Sequence, residues 1–268
     1  MPKGQFKIIP CEVAGIDVVE AATDHAFPRH WHEQYGIGVI HQGAQKSSSA
    51  RGMVEAGPGD VITVNPGEVH DGMPIGDGGR SWRMLYFEPS IIGDAVREMH
   101  EGSNPGTPEF IRPVISDTRV STAFHSLFSV LAQNCSCGLG REELLLQLLP
   151  SIVRERDQYR TGLASTSIGR AKEFIDDDPT APVTLAQLGQ ASGLSRFQVL
   201  RGFAKATGFT PQAYLMQRRL DLARRLIAKG TALADAAAAS GFADQSHMTR
   251  LFVRKYGISP GAYSAACA

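Results

Sequence analysis

One pattern is written twice near the end of this chain: Arg201-Gly202-Phe203-Ala204-Lys205-Ala206-Thr207-Gly208 and Arg250-Leu251-Phe252-Val253-Arg254-Lys255-Tyr256-Gly257, each followed by a proline, Pro211 and Pro260. A duplicated Arg-x-Phe-x(4)-Gly-x-x-Pro is far harder to obtain by chance than a single copy. The chain must therefore build the same local structure twice.

That local structure can be read from its punctuation. Thr184 to Gln190 reads as a short helix with Leu185 and Leu188 inward, Ala191-Ser192-Gly193-Leu194 as a turn, and Ser195 as the N-cap of a second helix running to about Ala206. The arrangement recurs with Leu233 to Ala239 as short helix, Ser240-Gly241-Phe242-Ala243 as turn and Asp244 as cap of a helix ending near Tyr256. Between the units Pro211 starts a long helix to about Ala228, with Gly230 just past its end. A short helix, a Gly-containing turn and a second helix is the unit that sets its second helix into a DNA major groove. The connecting helix, about 27 Å long, can hold two such helices roughly one DNA turn, about 34 Å, apart.

The front of the chain obeys a different period. From Ile8 to about Phe87, short β-type runs (Gly15–Val19, Gly36–Ile40, Asp60–Val64, Trp82–Phe87) alternate with turn clusters such as Gly57-Pro58-Gly59-Asp60, Asn65-Pro66-Gly67 and Asp77-Gly78-Gly79. This predicts an all-β sandwich or barrel without helices. Beyond Phe87 the period becomes helical: Val120, Phe124, Leu127, Phe128 and Leu131 share one face, and Leu144, Leu145, Leu148 and Ile152 another, with Pro150 expected to kink or divide the second helix. These faces suit a dimer surface or, alternatively, a cover for the barrel. The polar run between Arg156 and Ser167 reads as a linker.

Charge follows the same division. The chain is neutral overall, yet residues 1–164 hold 14 Lys+Arg against 20 Asp+Glu (14 − 20 = −6) and residues 165–268 hold 13 against 7 (13 − 7 = +6). Only the basic part is suited to meet a polyanion. No run approaches the roughly 18 apolar residues of a membrane span, and Met1 to Pro10 lacks a secretory apolar segment, so a cytoplasmic protein with no membrane partner is expected. Cys11, Cys135, Cys137 and Cys267 do not form a disulfide framework and are expected as thiols; a redox switch at Cys135 and Cys137 is a minor alternative.

Thr210-Pro211-Gln-Ala-Tyr214-Leu215, Arg219-Leu220-Asp-Leu-Ala223, Gly241-Phe242-Ala-Asp-Gln-Ser246-His247-Met-Thr-Arg250-Leu-Phe252 and Gly257-Ile-Ser259-Pro260-Gly-Ala-Tyr263 together resemble the signature of the AraC/XylS family of transcription regulators, over Ser167 to Ala265. The resemblance implies a regulator, expected to be an activator, that acts as a homodimer with double-stranded promoter DNA, a small-molecule effector and RNA polymerase as partners. Two positions depart from the family pattern, Ala236 for a larger aliphatic residue and Met248 for an aromatic, which predicts a less stable second unit. With Val199, Phe203, Met248 and Phe252 turned inward, the residues expected at DNA are Ser195, Arg196, Phe197, Gln198, Leu200 and Arg201 in the first unit and Gln245, Ser246, His247 and Arg250 in the second. Arg can pair with guanine, and an exposed Phe or Leu suits a thymine methyl.

In the front domain, His30-Trp31-His32 followed by Gly59-x(6)-Pro66-Gly67-x-x-His70 resembles the two motifs of cupins as found in such sensor domains. His30 and His32 lie two apart in an extended run and can join His70 inside a barrel mouth. Metal-binding cupins add a Glu separated from the His pair by three or four residues, where this chain has Gly36 and Ile37. The expectation is therefore a small-molecule site formed by His30, Trp31, His32, Tyr35 and His70, with no metal and no cofactor; three imidazoles binding zinc or iron is the alternative. Trp82 and Tyr86 are further candidate walls.

These readings combine into an α+β protein: a cupin-like β-barrel with flanking helices for effector binding and dimerisation (1–160), a linker (161–166) and an all-α DNA-binding domain with two helix-turn-helix units joined by a long helix (167–268). A metal-dependent cupin oxygenase with a helical tail and a DNA binder without effector are the rival functions; the missing Glu opposes the first, the well-patterned barrel the second.

Overall fold

Alternating apolar residues on the strands of the front half are divided between two cores, and this division organises the N-terminal unit. The structure, a computed structural model, describes residues 5–49, 52–100, 106–133, 138–156 and 167–267. The chain separates into two compact units, Met1–Gln158 and Tyr159–Ala268. The expected linker at 161–166 and the Cys135 and Cys137 pair lie outside the described residues.

In the first unit the strands are β1 (Gln5–Ile9), β2 (Ile16–Thr23), β3 (Phe27–His30), β4 (Tyr35–Gln42), β5 (Ala44–Ser49), β6 (Gly52–Ala56), β7 (Val61–Val64), β8 (His70–Ile75) and β9 (Arg80–Phe87). Then come α1 (Pro89–Met99), β10 (Thr107–Phe110), β11 (Val114–Ile115), α2 (Thr118–Ala132), α3 (Gly138–Leu148), a single 3-10 turn and β12 (Val153–Arg156). A six-stranded sheet runs β1-β2-β9-β4-β7-β11, a four-stranded sheet β3-β8-β5-β6, and β10 pairs with β12. Among the described residues no strand pairing joins the two larger sheets, so the expected barrel is an open, two-sheet one.

Successive side chains on β9 point to opposite faces. Trp82 and Met84 join Ala21, Ile40, Ile62, Phe27 and Ala56 in the core between the two sheets. Leu85 and Phe87 join Val18, Ile37 and Val39 in a second core, against α1, α2 and α3. On the inner face of β4, Gly36 and Gly38 leave room for Met84: a Cβ at Gly38 would stand 2.4 Å from its Sδ, and one at Gly36 2.6 Å from its Cε.

Four of the strands are those read from the alternating runs; β3, β5, β6 and β8, short or polar, had no such signal. Helix α1 was not foreseen. The apolar face of α2 is spent on the sheet, since Val120, Phe124, Leu127, Phe128 and Leu131 are all buried in the helix-side core, which assigns that face to covering the sheet. Pro150 does divide the second helix: α3 stops at Leu148 and the chain leaves the 3-10 turn as strand β12, so Ile152 reaches the core from outside the helix.

Among its described residues the second unit has helices and no strands: α4 (Ser167–Asp177), α5 (Leu185–Ser192), α6 (Arg196–Thr207), α7 (Pro211–Ala228), α8 (Leu233–Ala239), α9 (Gln245–Tyr256) and α10 (Pro260–Cys267). Capping explains the boundaries. Thr184 with Gln187 and Ser195 with Gln198 form reciprocal capping boxes, and Thr210 and Asp244 cap α7 and α9 with their side chains. Gly193, Gly208 and Gly257 end their helices at φ of 69°, 76° and 72°, a conformation that costs other residues about 1–2 kcal/mol. Val199, Phe203, Met248 and Phe252 are fully buried, as their spacing requires. Leu185 is an exception: it is 37% exposed, because it occupies the first position of a short helix whose buried residues, Leu188, Gly189 and Ser192, all lie in its later turns.

The second helix-turn-helix is built with fewer local supports than the first. Ala232, at the N-cap of α8, gives no side-chain hydrogen bond. Ser192 Oγ donates to the carbonyl of Leu188 at 2.6 Å, whereas the hydroxyl of its counterpart Ser240 is buried without a hydrogen-bond partner among the described residues. Ala236 and Ala237 occupy the core of α8. Anchorage comes instead from polar groups on α7: Asp221 forms a buried ion pair with Lys255 of α9 and accepts from Tyr256 Oη at 3.0 Å.

Candidate functional site

The N-terminal halves of α6 and α9 carry the residues expected at DNA. On α6, Val199 and Phe203 anchor the inner face, which leaves Ser195, Arg196, Phe197, Gln198, Leu200 and Arg201 exposed. Phe197, a large apolar side chain, is 65% exposed, and the Arg201 guanidinium lies 5.6 Å from its ring centroid. With Gln198, Gly202 and Lys205 these residues line an open groove of about 400 Å³. Lys205, four residues beyond Arg201 and on the same face, was missed by the motif reading; its i,i+4 spacing was the available signal. Gly202 is where α6 meets α4, since a Cβ there would stand 2.7 Å from Ile168 Cδ1.

The polar groups in this set do not all have the same freedom. Ser195 and Gln198 are committed to each other in the capping box. On α9, Gln245, Ser246 and Arg250 are exposed, and His247 is half-buried with its ring edge-to-face on Phe242, centroids 5.5 Å apart. Its backbone N–H donates to the Asp244 cap at 2.7 Å.

In the first unit the structure gathers three of the five expected ligand residues. His30 and His70 are register partners across β3 and β8, and His32 follows on the loop after β3. The ring centroids of His30 and His70 lie 4.4 Å apart, those of His30 and His32 4.9 Å, and those of His32 and His70 5.3 Å. Tyr86, on the inner face of β9, stands 5.0 Å from His32. The Asn65-Pro66-Gly67-Glu68 turn holds this cluster: Gly67 N donates to the His32 carbonyl at 2.8 Å, and Asn65 Nδ2 is fixed by Glu68 at 2.9 Å. Gly67 takes φ 72°, which the turn needs.

Tyr35 is not brought to this cluster. It begins β4 on the face that packs against the helices, 3% exposed, with its hydroxyl donating to the Pro108 carbonyl at 2.6 Å. Burial, with Glu109 nearby, pushes its pKa up to about 12, so it remains a donor. The period-two logic that aligned His30 with His32 ends at the loop before β4, and sequence alone gave no face for Tyr35. Trp31 is buried. Trp82 faces the inner core under the buried guanidinium of Arg80, 4.9 Å away. Burial draws the Arg80 pKa down to about 10, and its charge is held by Gln45 Oε1 at 3.1 Å and the carbonyls of His25 and Gly72, each at 3.2 Å.

Comparison with known proteins gives this arrangement a family. Residues 13–149 match the model of the AraC-like ligand binding domain, and residues 188–266 that of a helix-turn-helix domain. An uncharacterised HTH-type transcriptional regulator, YbfI of Bacillus subtilis, is 30% identical over 227 residues, 83% of this chain and 81% of its own. The chain belongs to the AraC family of transcription regulators.

Other AraC-family relatives align over nearly the whole length. The transcriptional activator RhaS of Klebsiella pneumoniae is 22% identical over 247 residues, 88% of this chain and 86% of its own. Crystal structures of ToxT from Vibrio cholerae share the fold at 13% identity: apo ToxT has a TM-score of 0.62 over 96% of this chain and 99% of its own, and ToxT bound to an unsaturated fatty acid 0.58 over 93% and 94%. The AraC-family chain thus has a ligand-binding domain followed by a DNA-binding domain, and its relatives are regulators rather than enzymes. No helix among the described residues is long and apolar enough to cross a membrane.

Proposed function

We propose that this regulator reads a bipartite promoter operator with α6 and α9 and activates transcription in the cytoplasm, under control of a small molecule bound between the sheets of its N-terminal unit. The observation that carries the reading is the exposed, chemically mixed face of α6: Arg196, Phe197, Leu200 and Arg201 turned to solvent beside buried Val199 and Phe203. Leaving Phe197 and Leu200 in water costs stability unless something apolar covers them, and a thymine methyl does so in a major groove. Arg201 and Arg250 are the base readers, Lys205 and Arg196 the phosphate contacts, and Gln245 and Ser246 complete the second surface. His247, half-buried, plays a lesser part.

The effector site is placed at His30, His32 and His70 with Tyr86, where polar groups converge on an apolar inner core; Tyr35 is left out of it. Effector binding shifts the population toward the form competent for DNA. Activation is favoured by the likeness to RhaS, which is named as an activator, and implies contact with RNA polymerase. A homodimer is the proposed working form; with α2 spent on the sheet, the interface falls to the exposed parts of Leu144, Leu145 and Leu146 of α3, which pack only partly against the helix-side core.

Selection of bound sequences from random duplexes by the full-length protein tests the reading, with Arg201→Ala and Arg250→Ala alongside. Two motifs about one helical turn apart, each blurred by one substitution, are expected. A single motif, or loss of both with either variant, would defeat the assignment.

A further inference from the structure

The DNA-binding unit repeats a scaffold but not a reading surface. Helices α6 and α9 are each 12 residues long, start at a side-chain cap, Ser195 or Asp244, and end on a left-handed glycine, Gly208 or Gly257. Aligned on those caps, the two helices correspond residue for residue. The buried anchors match, Val199 with Met248 and Phe203 with Phe252. The cations match, Arg201 with Arg250 and Lys205 with Arg254. The third helical position serves the scaffold in both: Gln198 Oε1 accepts from the Ser195 N–H at 2.9 Å, and the His247 ring packs edge-to-face on Phe242.

The difference is concentrated beside the shared arginine. Residues three and four apart share a helix face, so Phe197 stands with Leu200 and Arg201 on α6, and Ser246 with Thr249 and Arg250 on α9. Phe197 is 65% exposed and Leu200 39%, two large apolar side chains standing in water next to cations. Their counterparts on α9 are an exposed hydroxyl, Ser246, and the smaller, half-buried Thr249. In the major groove an apolar side chain finds one apolar partner on a base edge, the C5 methyl of thymine, whereas a serine hydroxyl can serve any base. Val253, the exposed large apolar residue of α9, lies beyond the N-terminal residues that reach base edges. At the first helical position Arg196 is matched by Gln245, whose amide suits adenine.

We infer that the two halves of the operator are not copies of one sequence. Both carry a guanine for the equivalent arginines, but the half under α6 is recognised through thymine methyl groups covered by Phe197 and Leu200, and the half under α9 through hydrogen bonds from Gln245 and Ser246. This rests on the DNA reading above and names the chemistry of each half. Unequal halves also fix the direction in which a duplicated scaffold lies on its site.

Selection from random duplexes by the full-length protein supplies the two motifs, and the Arg201→Ala and Arg250→Ala variants assign each to its helix. In the selected duplex the thymines of one half are then replaced by deoxyuridine, which keeps every base-pairing group and removes only the C5 methyl. Replacement under α6 should weaken binding about fourfold per contacted base, the worth of one buried methyl-sized group, and replacement under α9 by less than about twofold. Phe197→Ala combined with Leu200→Ala should abolish the preference for thymine over deoxyuridine in the α6 half; both side chains are exposed, and a thermal melt checks that the variant folds. Two motifs of one sequence, an α6 motif without thymine, equal losses in the two halves, or a thymine preference that survives in the double variant would each overturn the inference and leave the DNA reading standing. No motif at all would defeat the DNA reading and this inference with it.

Discussion

Arg219 on α7 holds the carbonyl oxygen of Gly241, in the turn of the second helix-turn-helix, at 2.5 Å from Nη1. The same guanidinium donates to the carbonyls of Pro179 at 2.8 Å, Thr180 at 3.2 Å and Ala181 at 3.0 Å, in the loop before α5. One side chain thus ties the approach to the first unit to the turn of the second. Gly241 must be glycine there: its φ is 79°, and a Cβ would stand 2.7 Å from the Thr180 oxygen.

Arg219→Ala should therefore lower stability by about 2–3 kcal/mol, the range for losing charged hydrogen bonds, and relax the preferred distance between the two DNA motifs while leaving each motif intact. Arg219→Lys should rescue little, because an ammonium cannot span four carbonyls as a planar fork does. Urea melts and operator libraries of variable spacing measure the two effects. An unchanged spacing preference would reduce Arg219 to a stability role.

The buried pair Asp221 and Lys255 is expected to respond asymmetrically. Asp221→Ala leaves a buried ammonium uncompensated and should cost about 3–5 kcal/mol. Replacing both, as Asp221→Leu with Lys255→Met, should recover most of that loss in denaturant unfolding; additive losses would show that the pair itself is net stabilising.

Local supports differ between the two units, and so should the response to small substitutions. Ser192→Ala removes a made hydrogen bond and should cost about 1 kcal/mol, whereas Ser240→Ala removes a hydroxyl without a described partner and should be neutral or stabilising. Ala232→Ser supplies the absent cap of α8 and should add about 1 kcal/mol. Thermal melts of the three variants under one condition decide it.

Acid should weaken the sensor unit. His41 and His125 stack with centroids 5.2 Å apart, and each has its pKa lowered, first by burial and next by Arg83; His125 adds to the effect on His41, and Glu20 opposes it. Below the ordinary value of 6.5 the unfolded chain takes up protons that the folded one resists, so stability is lost as pH falls through that value toward the lower folded pKa values. Melting temperature should drop between about pH 7 and 5.5, and His125→Gln should flatten the drop. A slope unchanged in that variant would place the titration elsewhere.

Legibility tracked the range of the forces involved. Helices α5 to α9 could be read nearly to the residue because their boundaries are set locally: Thr184, Ser195, Thr210 and Asp244 at the starts, Gly193, Gly208 and Gly257 at the ends; α4 and α10 had no bounds in the sequence reading. The sensor was legible where one strand alternated by itself, as in β4 and β9. It was illegible where a strand exists only through its partner: β5, Ala44–Ser49, is polar and is held by β6 and β8. The histidine cluster was found by motif, but Tyr35, expected beside it, packs in the helix-side core, so motif proximity does not assign a face.

On the proposed bipartite reading, the span of α7 bears on how such a regulator acquires new genes. Each base pair inserted between two half-sites swings the far one about 35° around the duplex axis, while eighteen helical residues, locked by Arg219, cannot follow by twisting. Promoters can then be recruited or released by single-letter changes within a half-site, but scarcely by insertions between the halves, so one-base gaps should be absent from the natural repertoire of sites even where both half-site sequences are good.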